Sequence, residues 1–197
     1  MNPAAHKAKR VAISVLAAGL FSGSATAADQ YIPFGGIRLG SISVIGTGIY
    51  GGYMDYFIRG TGAERIHISD LGYYSRMERI EKGLDYYRGR FPHKRITISD
   101  GTDTPERLAE ADLVCITGSA LCTGTMDELL EWSQNCRTII VQGQSGAIHP
   151  EVLFERGVTM VSTTLKPDNF IDLAVNDQKR WRELLEGKLP TIYMRRK

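Results

Sequence analysis

The residues best suited to chemistry near the start of this sequence are a group of glycines and one acid. Gly46-Thr47-Gly48-Ile49-Tyr50-Gly51 has the spacing G-x-G-x-x-G, and Asp70 follows at the end of the next β-branched run. In dinucleotide-binding domains such glycines let a phosphate approach the backbone at a helix amino terminus, and such an acid binds ribose. The alternative is a glycine turn needed only for packing, with Asp70 a simple helix cap.

A second set of polar residues follows two later apolar runs. The first run is followed by Thr117, Gly118, Ser119 and Thr123, and the second by Gly143 and Ser145. Hydroxyls and exposed backbone N–H groups form a neutral lining suited to a carboxylate, a phosphate or a nucleoside. Thr125 belongs to the first loop as well, although it also reads as a helix cap.

Metal ligation is a further hypothesis, carried by Cys122 and His149 as a thiolate and an imidazole. Two ligands are too few for a closed site, so Asp70, His93 or a bound chelate would have to complete it. The other sulfur and imidazole groups are expected to be structural: Cys115 as a small buried hydrophobe, Cys136 at a helix end and His67 packed within a strand. No catalytic residue is predicted, because no nucleophile elbow or paired acid–base set is evident.

Alternating strands and helices must position these loops. β-branched runs predict strands at residues 41–45, 65–69, 95–98, 113–116, 138–141 and 158–161, with an edge strand at 191–194. Helical segments lie between them, at residues 50–59, from 75 to about 89, from 104, from 125, from 150 to 157 and at 176–187. The pattern predicts a Rossmann-like, doubly wound α/β fold with a mostly parallel sheet of five to seven strands.

Strand order then decides which loops meet. In the usual order 3-2-1-4-5-6 the first and fourth strands are neighbours, and ligands bind beyond their carboxyl ends. The sequence therefore predicts that Gly46 and Gly48 face Thr117 and Ser119 across one crevice. Capping boxes at Ser75/Glu78 and Thr125/Glu128 are expected to open two of the helices.

The amino-terminal residues 1–36 have two interpretations. A basic start, an apolar run and Ala25-Thr26-Ala27 are typical of a secretory signal. Alanine content and a one-sided apolar pattern also fit a native helix, but the pattern alone favours the signal. The helix corresponds to a cytoplasmic protein, whereas cleavage after residue 27 would make it an exported one.

Composition limits the function classes. The chain has 197 residues, a net charge of +2 and 43% hydrophobic residues, which suit one globular domain. This balance argues against a nucleic-acid binder, and the apolar run near the start is too short to span a membrane.

Two motifs resemble a known family. They are Thr117-Gly118-Ser119-Ala120-Leu121-Cys122-Thr123-Gly124-Thr125, and Gln142-Gly143-Gln144-Ser145 followed by His149-Pro150-Glu151-Val152-Leu153-Phe154 and Gly157-Val158. They resemble the Rossmann-like domain of the putative heavy-metal chelation family, domain of unknown function 364, over residues of about 38–195. In that family asparagine is usual at the position of Thr123 and proline at that of Gln144. The family's amino-terminal domain, similar to the enolase amino-terminal fold, has no counterpart in residues 1–36.

The resemblance implies a small-ligand-binding domain at residues 37–197, linked to a heavy metal or a metal chelate. A second chain could supply the missing domain. An alanine-rich helix would precede the Rossmann-like part, and this implication slightly favours the helix over the signal for residues 1–36. The alternative is a methyltransferase- or dehydrogenase-like enzyme with a nucleoside-containing cofactor, which would use the loop from Gly46 to Gly51 and Asp70.

Overall fold

The computed structural model describes residues 12–16, 40–46, 57–58, 61–143, 145–147, 149–164, 166, 168–181 and 191–195. The strands are β1 (Ala12–Leu16), β2 (Ser41–Ile45), β3 (Arg65–Ser69), β4 (Arg95–Ser99), β5 (Leu113–Thr117), β6 (Thr138–Gln142), β7 (Met160–Thr164) and β8 (Thr191–Arg195). They form one sheet in the order β1-β8-β7-β6-β5-β2-β3-β4. Strands β2 to β7 are parallel to one another, and β8 runs antiparallel to both of its neighbours. The predicted doubly wound α/β fold, including the adjacency of β2 and β5, is confirmed.

The amino-terminal strand was not expected. Ala12–Leu16 pairs with β8, from Ala12 opposite Arg195 to Leu16 opposite Thr191, so the helix predicted for this segment is wrong at these five residues. Ile13 and Val15 are β-branched and favour a strand, and the outer edge of β8 offers unpaired backbone groups to receive it. With β1 the described sheet has eight strands, one more than the upper limit of our prediction.

The helices are α1 (Tyr73–Arg90), α2 (Thr104–Ala109), α3 (Ala120–Thr123), α4 (Met126–Trp132), α5 (Pro150–Glu155) and α6 (Phe170–Asn176). Both predicted capping boxes are wrong. Helix α1 begins before Ser75, and its first turn follows Gly72, whose N–H donates to the Asp70 carboxylate at 2.8 Å. Thr125 is the N-cap of α4 but makes no side-chain cap bond, because its hydroxyl lies 3.0 Å from that of Thr123.

Most other strands end within one residue of the prediction, and the helix predicted at 150–157 ends at Glu155. Strand β7 begins at Met160, two residues later than expected. Of the helix predicted at residues 50–59, the described positions Phe57 and Ile58 are helical and buried. Of the terminal helix predicted at 176–187, residues 178–181 are helical after α6 ends at Asn176, and 182–190 lie outside the described residues.

Two apolar layers cover the faces of the sheet. One joins Ile42, Val44, Ile66, Ile68, Ile96, Leu113 and Cys115 to Phe57, Ile58 and Leu84. The other joins Val114, Ile116, Ile139, Val141 and Val161 to Leu108, Met126, Leu129, Leu130 and Phe154. These layers fix the strands, so that the loops at their carboxyl ends stand on a rigid support. None of the described helices is long and apolar enough to cross a membrane.

Candidate functional site

The carboxyl ends of β2 and β5 meet as the strand order requires. Gly46 has a φ of +80°, which favours glycine, and its N–H donates to the carbonyl of Ser69 at 2.7 Å. A Cβ atom on Gly46 would lie only 2.7 Å from Cγ2 of Thr117. The first glycine of the loop is therefore in direct contact with the end of β5. Thr47, Gly48 and Gly51 lie outside the described residues.

The loops after β5 and β6 pack backbone against backbone. The Gly118 N–H donates to the carbonyl of Gln142, and a Cβ on Gly118 would lie 2.7 Å from the Gly146 nitrogen. Gly146 is equally enclosed, with Val141 Cγ1 at 2.6 Å from its ideal Cβ position. Gly143 has a φ of +112° and donates its N–H to Ser162 at 2.9 Å. The sequence analysis did not predict a role for Gly146. The one feature that could have indicated it is the presence of a second glycine three positions after Gly143.

Hydroxyl groups line the outer surface of this junction. The Thr117 and Ser119 hydroxyl oxygens are 3.0 Å apart, and those of Thr123 and Thr125 are also 3.0 Å apart. Ser119 and Thr123 are exposed, and Thr123 additionally donates to the Ala120 carbonyl at 3.3 Å. In the pair of Thr117 and Ser119 one hydroxyl donates to the other, which leaves oxygen lone pairs and the second hydrogen for a ligand. In the other pair the Thr123 hydrogen is directed to the Ala120 carbonyl, so that pair offers a ligand lone pairs only.

The two candidate metal ligands are exposed but are not joined to each other. The Cys122 sulfur lies 3.9 Å from the Ser145 hydroxyl oxygen, a contact that links the loops after β5 and β6. His149 is the exposed N-cap residue of α5. In the part of the chain that the structure describes, no group of three or more His, Cys, Asp or Glu side chains could hold a metal ion. These residues therefore do not form a closed site for a bare ion.

The residues considered for completing the metal site do not join it. His93 precedes β4 and lies at the amino end of the sheet, near Phe91 at a ring distance of 6.2 Å. Asp70 follows β3 at the carboxyl end, but it is only 3% exposed and its carboxylate accepts the Gly72 N–H. That bond closes a turn ahead of α1 but does not cap the helix, whose N-cap residue is Gly72 and which has no side-chain cap bond.

The other two cysteines have structural environments. Burial raises the pKa of the Cys115 thiol to about 12, and its sulfur lies 3.3 Å from Oε1 of Gln142. Burial also raises the pKa of the half-buried Cys136, whose thiol donates to the Thr138 carbonyl at 3.3 Å. A neutral thiol is a poor nucleophile and metal ligand, so neither of them supplies chemistry to the crevice.

Comparison with known proteins gives consistent results. The family model described as putative heavy-metal chelation, domain of unknown function 364, matches residues 72–181. A crystal structure from Pyrococcus horikoshii, of a protein with unknown function from that family, superposes with a TM-score of 0.50 at 14% identity and covers 80% of this chain and 54% of its own. A structure from Desulfitobacterium hafniense DCB-2, described in the same way, gives 0.52 at 17% identity, with 89% and 58% covered. The present chain thus spans little more than half the length of these relatives. No curated protein matches it.

Proposed function

Since this chain belongs to the putative heavy-metal chelation family, we propose that it binds a small metal chelate in the crevice at the carboxyl ends of β2, β5 and β6. We define this crevice by Gly46, Thr117 to Ser119, Thr123, Gly143, Ser145 and Gly146. The observation that carries the proposal is the close approach of Gly118 to Gly146, because it brings the two polar loops together beyond the sheet.

The chemistry of the lining favours a chelate over a bare ion. The N–H groups of Gly46, Gly118 and Gly143 are bonded within the protein. The described crevice offers hydroxyl groups, which donate hydrogen bonds to carboxylates but bind soft metal ions weakly. A chelator that already fills most of the metal's coordination positions needs only such donors around its own carboxylates. Cys122 and His149 then have a limited role, in which each fills a coordination position of the metal that the chelator leaves open.

Calorimetry with two probes tests the proposal. We expect cobalt(II) citrate to bind and free Co²⁺ to bind much more weakly, since the free ion would have at most two protein ligands. Thr117→Val and Ser119→Ala should each weaken chelate binding by roughly tenfold, the loss of about one hydrogen bond to a charged group. Thr102→Ala is the matched control, because Thr102 is an exposed hydroxyl in the loop after β4, away from β5 and β6.

Two outcomes would contradict the proposal. Equal affinity for Co²⁺ and its citrate complex would mean that the protein supplies the ligands itself. Unchanged chelate binding in both crevice variants would exclude this crevice as the binding site. Elemental analysis with native mass spectrometry, on protein purified without chelators, gives an independent check for a retained metal and its carrier.

The nucleoside-cofactor enzyme is the competing function, and the positive φ of Gly46 is the observation in its favour. Asp70→Asn separates the two. A protein that reads ribose should lose about 1–3 kcal/mol of binding free energy for adenosine cofactors, because a charged acceptor is lost. A chelate binder should keep its citrate-complex affinity in the same variant.

A further inference from the structure

One face of the sheet is polar where a buried sheet is normally apolar. Residues that lie side by side on this face of β2, β3 and β4 form two successive rows, Ser41–Arg65–Arg95 and Ser43–His67–Thr97. The apolar layer that covers the same face of β5, β6 and β7 does not continue over these rows. Side chains in register on neighbouring strands are in contact range, so the polar groups form one continuous patch.

The centre of the patch is a hydrogen-bonded histidine. Nδ1 of His67 lies 2.8 Å from the Thr97 hydroxyl, and Nε2 lies 3.2 Å from the Ser99 hydroxyl and 3.4 Å from Oδ1 of Asp103. Asp103 also accepts a bond from Nε of Arg107 at 2.9 Å. These contacts hold the face rigid and place the Arg107 side chain over it.

The arginines supply the charge. Arg65 and Arg95 are directly opposite each other on neighbouring strands, an arrangement of like charges that destabilises a sheet. Within the described residues neither guanidinium has a hydrogen bond or an ion pair, whereas Arg107 is paired with Asp103. A cavity is lined by these three arginines together with Ser41, His67 and Thr97, and by the apolar residues Ile42, Ile66 and Ala111. Glu110 is the one acid in its lining.

We propose that this cavity, at the amino end of the sheet, binds the phosphate group of a small molecule between Arg65 and Arg95. Two adjacent guanidinium groups can each give a bidentate pair of hydrogen bonds to phosphate, and a dianion neutralises the like charges that face each other. The site is separate from the crevice, because the first and last residues of β3 lie roughly 13 Å apart at about 3.3 Å per residue. It also does not depend on the proposed chelate function.

Calorimetry with inorganic phosphate at low ionic strength tests this site, with chloride at matched ionic strength as the reference. We expect Arg65→Gln and Arg95→Gln each to weaken phosphate binding roughly tenfold or more, and the double variant to abolish it. Arg137→Gln is the matched control, because Arg137 is exposed and also precedes a parallel strand at the amino end, outside the cavity lining.

Unfolding of the arginine variants can be told apart from a loss of phosphate binding by their melting temperatures. Removing one of the two like charges that face each other should raise the melting temperature of the phosphate-free protein. This rise is itself an expected outcome. Ribose 5-phosphate that binds more tightly than inorganic phosphate would identify a phosphate monoester as the ligand, and equal affinity would identify free phosphate. Undetectable binding of both, or phosphate binding that is unchanged in the double variant, would overturn the proposal.

Discussion

At Gly118 the backbones that follow β5 and β6 approach so closely that no side chain fits between them. Gly118→Ala would place a methyl group 2.7 Å from the Gly146 nitrogen and 3.2 Å from the Gln142 carbonyl oxygen, neither of which can rotate away. We expect the free energy of unfolding to fall by about 1–3 kcal/mol. Urea denaturation measures the change.

Gly83→Ala is the matched control for that substitution. Gly83 lies within α1, and a Cβ there would meet nothing within 4 Å. The same chemical change should therefore raise the free energy of unfolding by about 0.5–1 kcal/mol, since alanine is the better helix former. Changes of the same sign at both positions would contradict the steric account of Gly118.

The three cysteines should differ in reactivity. Cys122 is exposed, whereas burial raises the pKa of Cys115 to about 12 and also raises that of Cys136. Since the thiolate is the reactive form, iodoacetamide at about pH 8 should modify Cys122 first in the folded protein and Cys115 last. Peptide mass spectrometry over time gives the order, and early labelling of Cys115 would contradict the buried environment described here.

His67 should make stability depend on pH. Burial lowers its pKa below 6.5, with Asp103 opposing the shift. Between that lowered pKa and 6.5 the unfolded chain therefore binds more protons than the folded one. As a consequence, the free energy of unfolding keeps its whole value above about pH 6.5 and decreases as the pH drops below it. Urea denaturation between about pH 5 and pH 8 should show this loss in the wild type and less of it in His67→Gln. Identical pH dependence in the two proteins would exclude His67 as the cause.

Among the elements, β4 and the segment before β3 are joined in part by the side chain of one lysine, Lys94. The Lys94 ammonium donates to the carbonyls of Thr61 at 2.8 Å and Ala63 at 2.7 Å, and burial lowers its pKa. Lys94→Met keeps the length of the side chain but leaves both carbonyls without this donor. We expect a loss of about 1.5–3 kcal/mol in the free energy of unfolding, the range for hydrogen bonds to charged groups.

Lys82→Met is the control for Lys94, because Lys82 is an exposed residue of α1. It should change the free energy of unfolding by less than about 0.5 kcal/mol. If the two variants were equally stable, the Lys94 contacts would contribute nothing measurable to the pairing of β3 with β4.

Element types followed from the sequence more reliably than their ends. The alternation of isoleucine in Arg65-Ile66-His67-Ile68-Ser69 is enough to predict β3, whereas the start of α1 depends on a backbone turn closed by Asp70. Serine and glutamate at capping-box spacing suggested a start at Ser75. That pattern reports only which side chains are available, and α1 begins two residues before Ser75 without a side-chain cap bond.

For the whole molecule, handedness and strand-order rules were enough to bring Gly46 and Thr117 together from sequence alone. These rules could not predict the contact of Gly118 with Gly146, because that contact depends on the positions of the loop backbones to within less than about one ångström. The polar rows on β2, β3 and β4 were visible as alternation in each strand. Their meaning emerges only when the three strands lie side by side in a known register.

The pairing of β1 with β8 has a consequence for how the chain folds. Ala12 and Arg195 are partners although 183 positions separate them (195 minus 12), so this contact requires closure of almost the entire chain. During synthesis β1 is made before the parallel strands, and its partner β8 is made after them. The parallel strands β2 to β7 can assemble in the meantime, while β1 waits as an unpaired strand open to other chains. Completion of the sheet edge is therefore expected to be a late event, and a moment at which newly made chains can exchange strands.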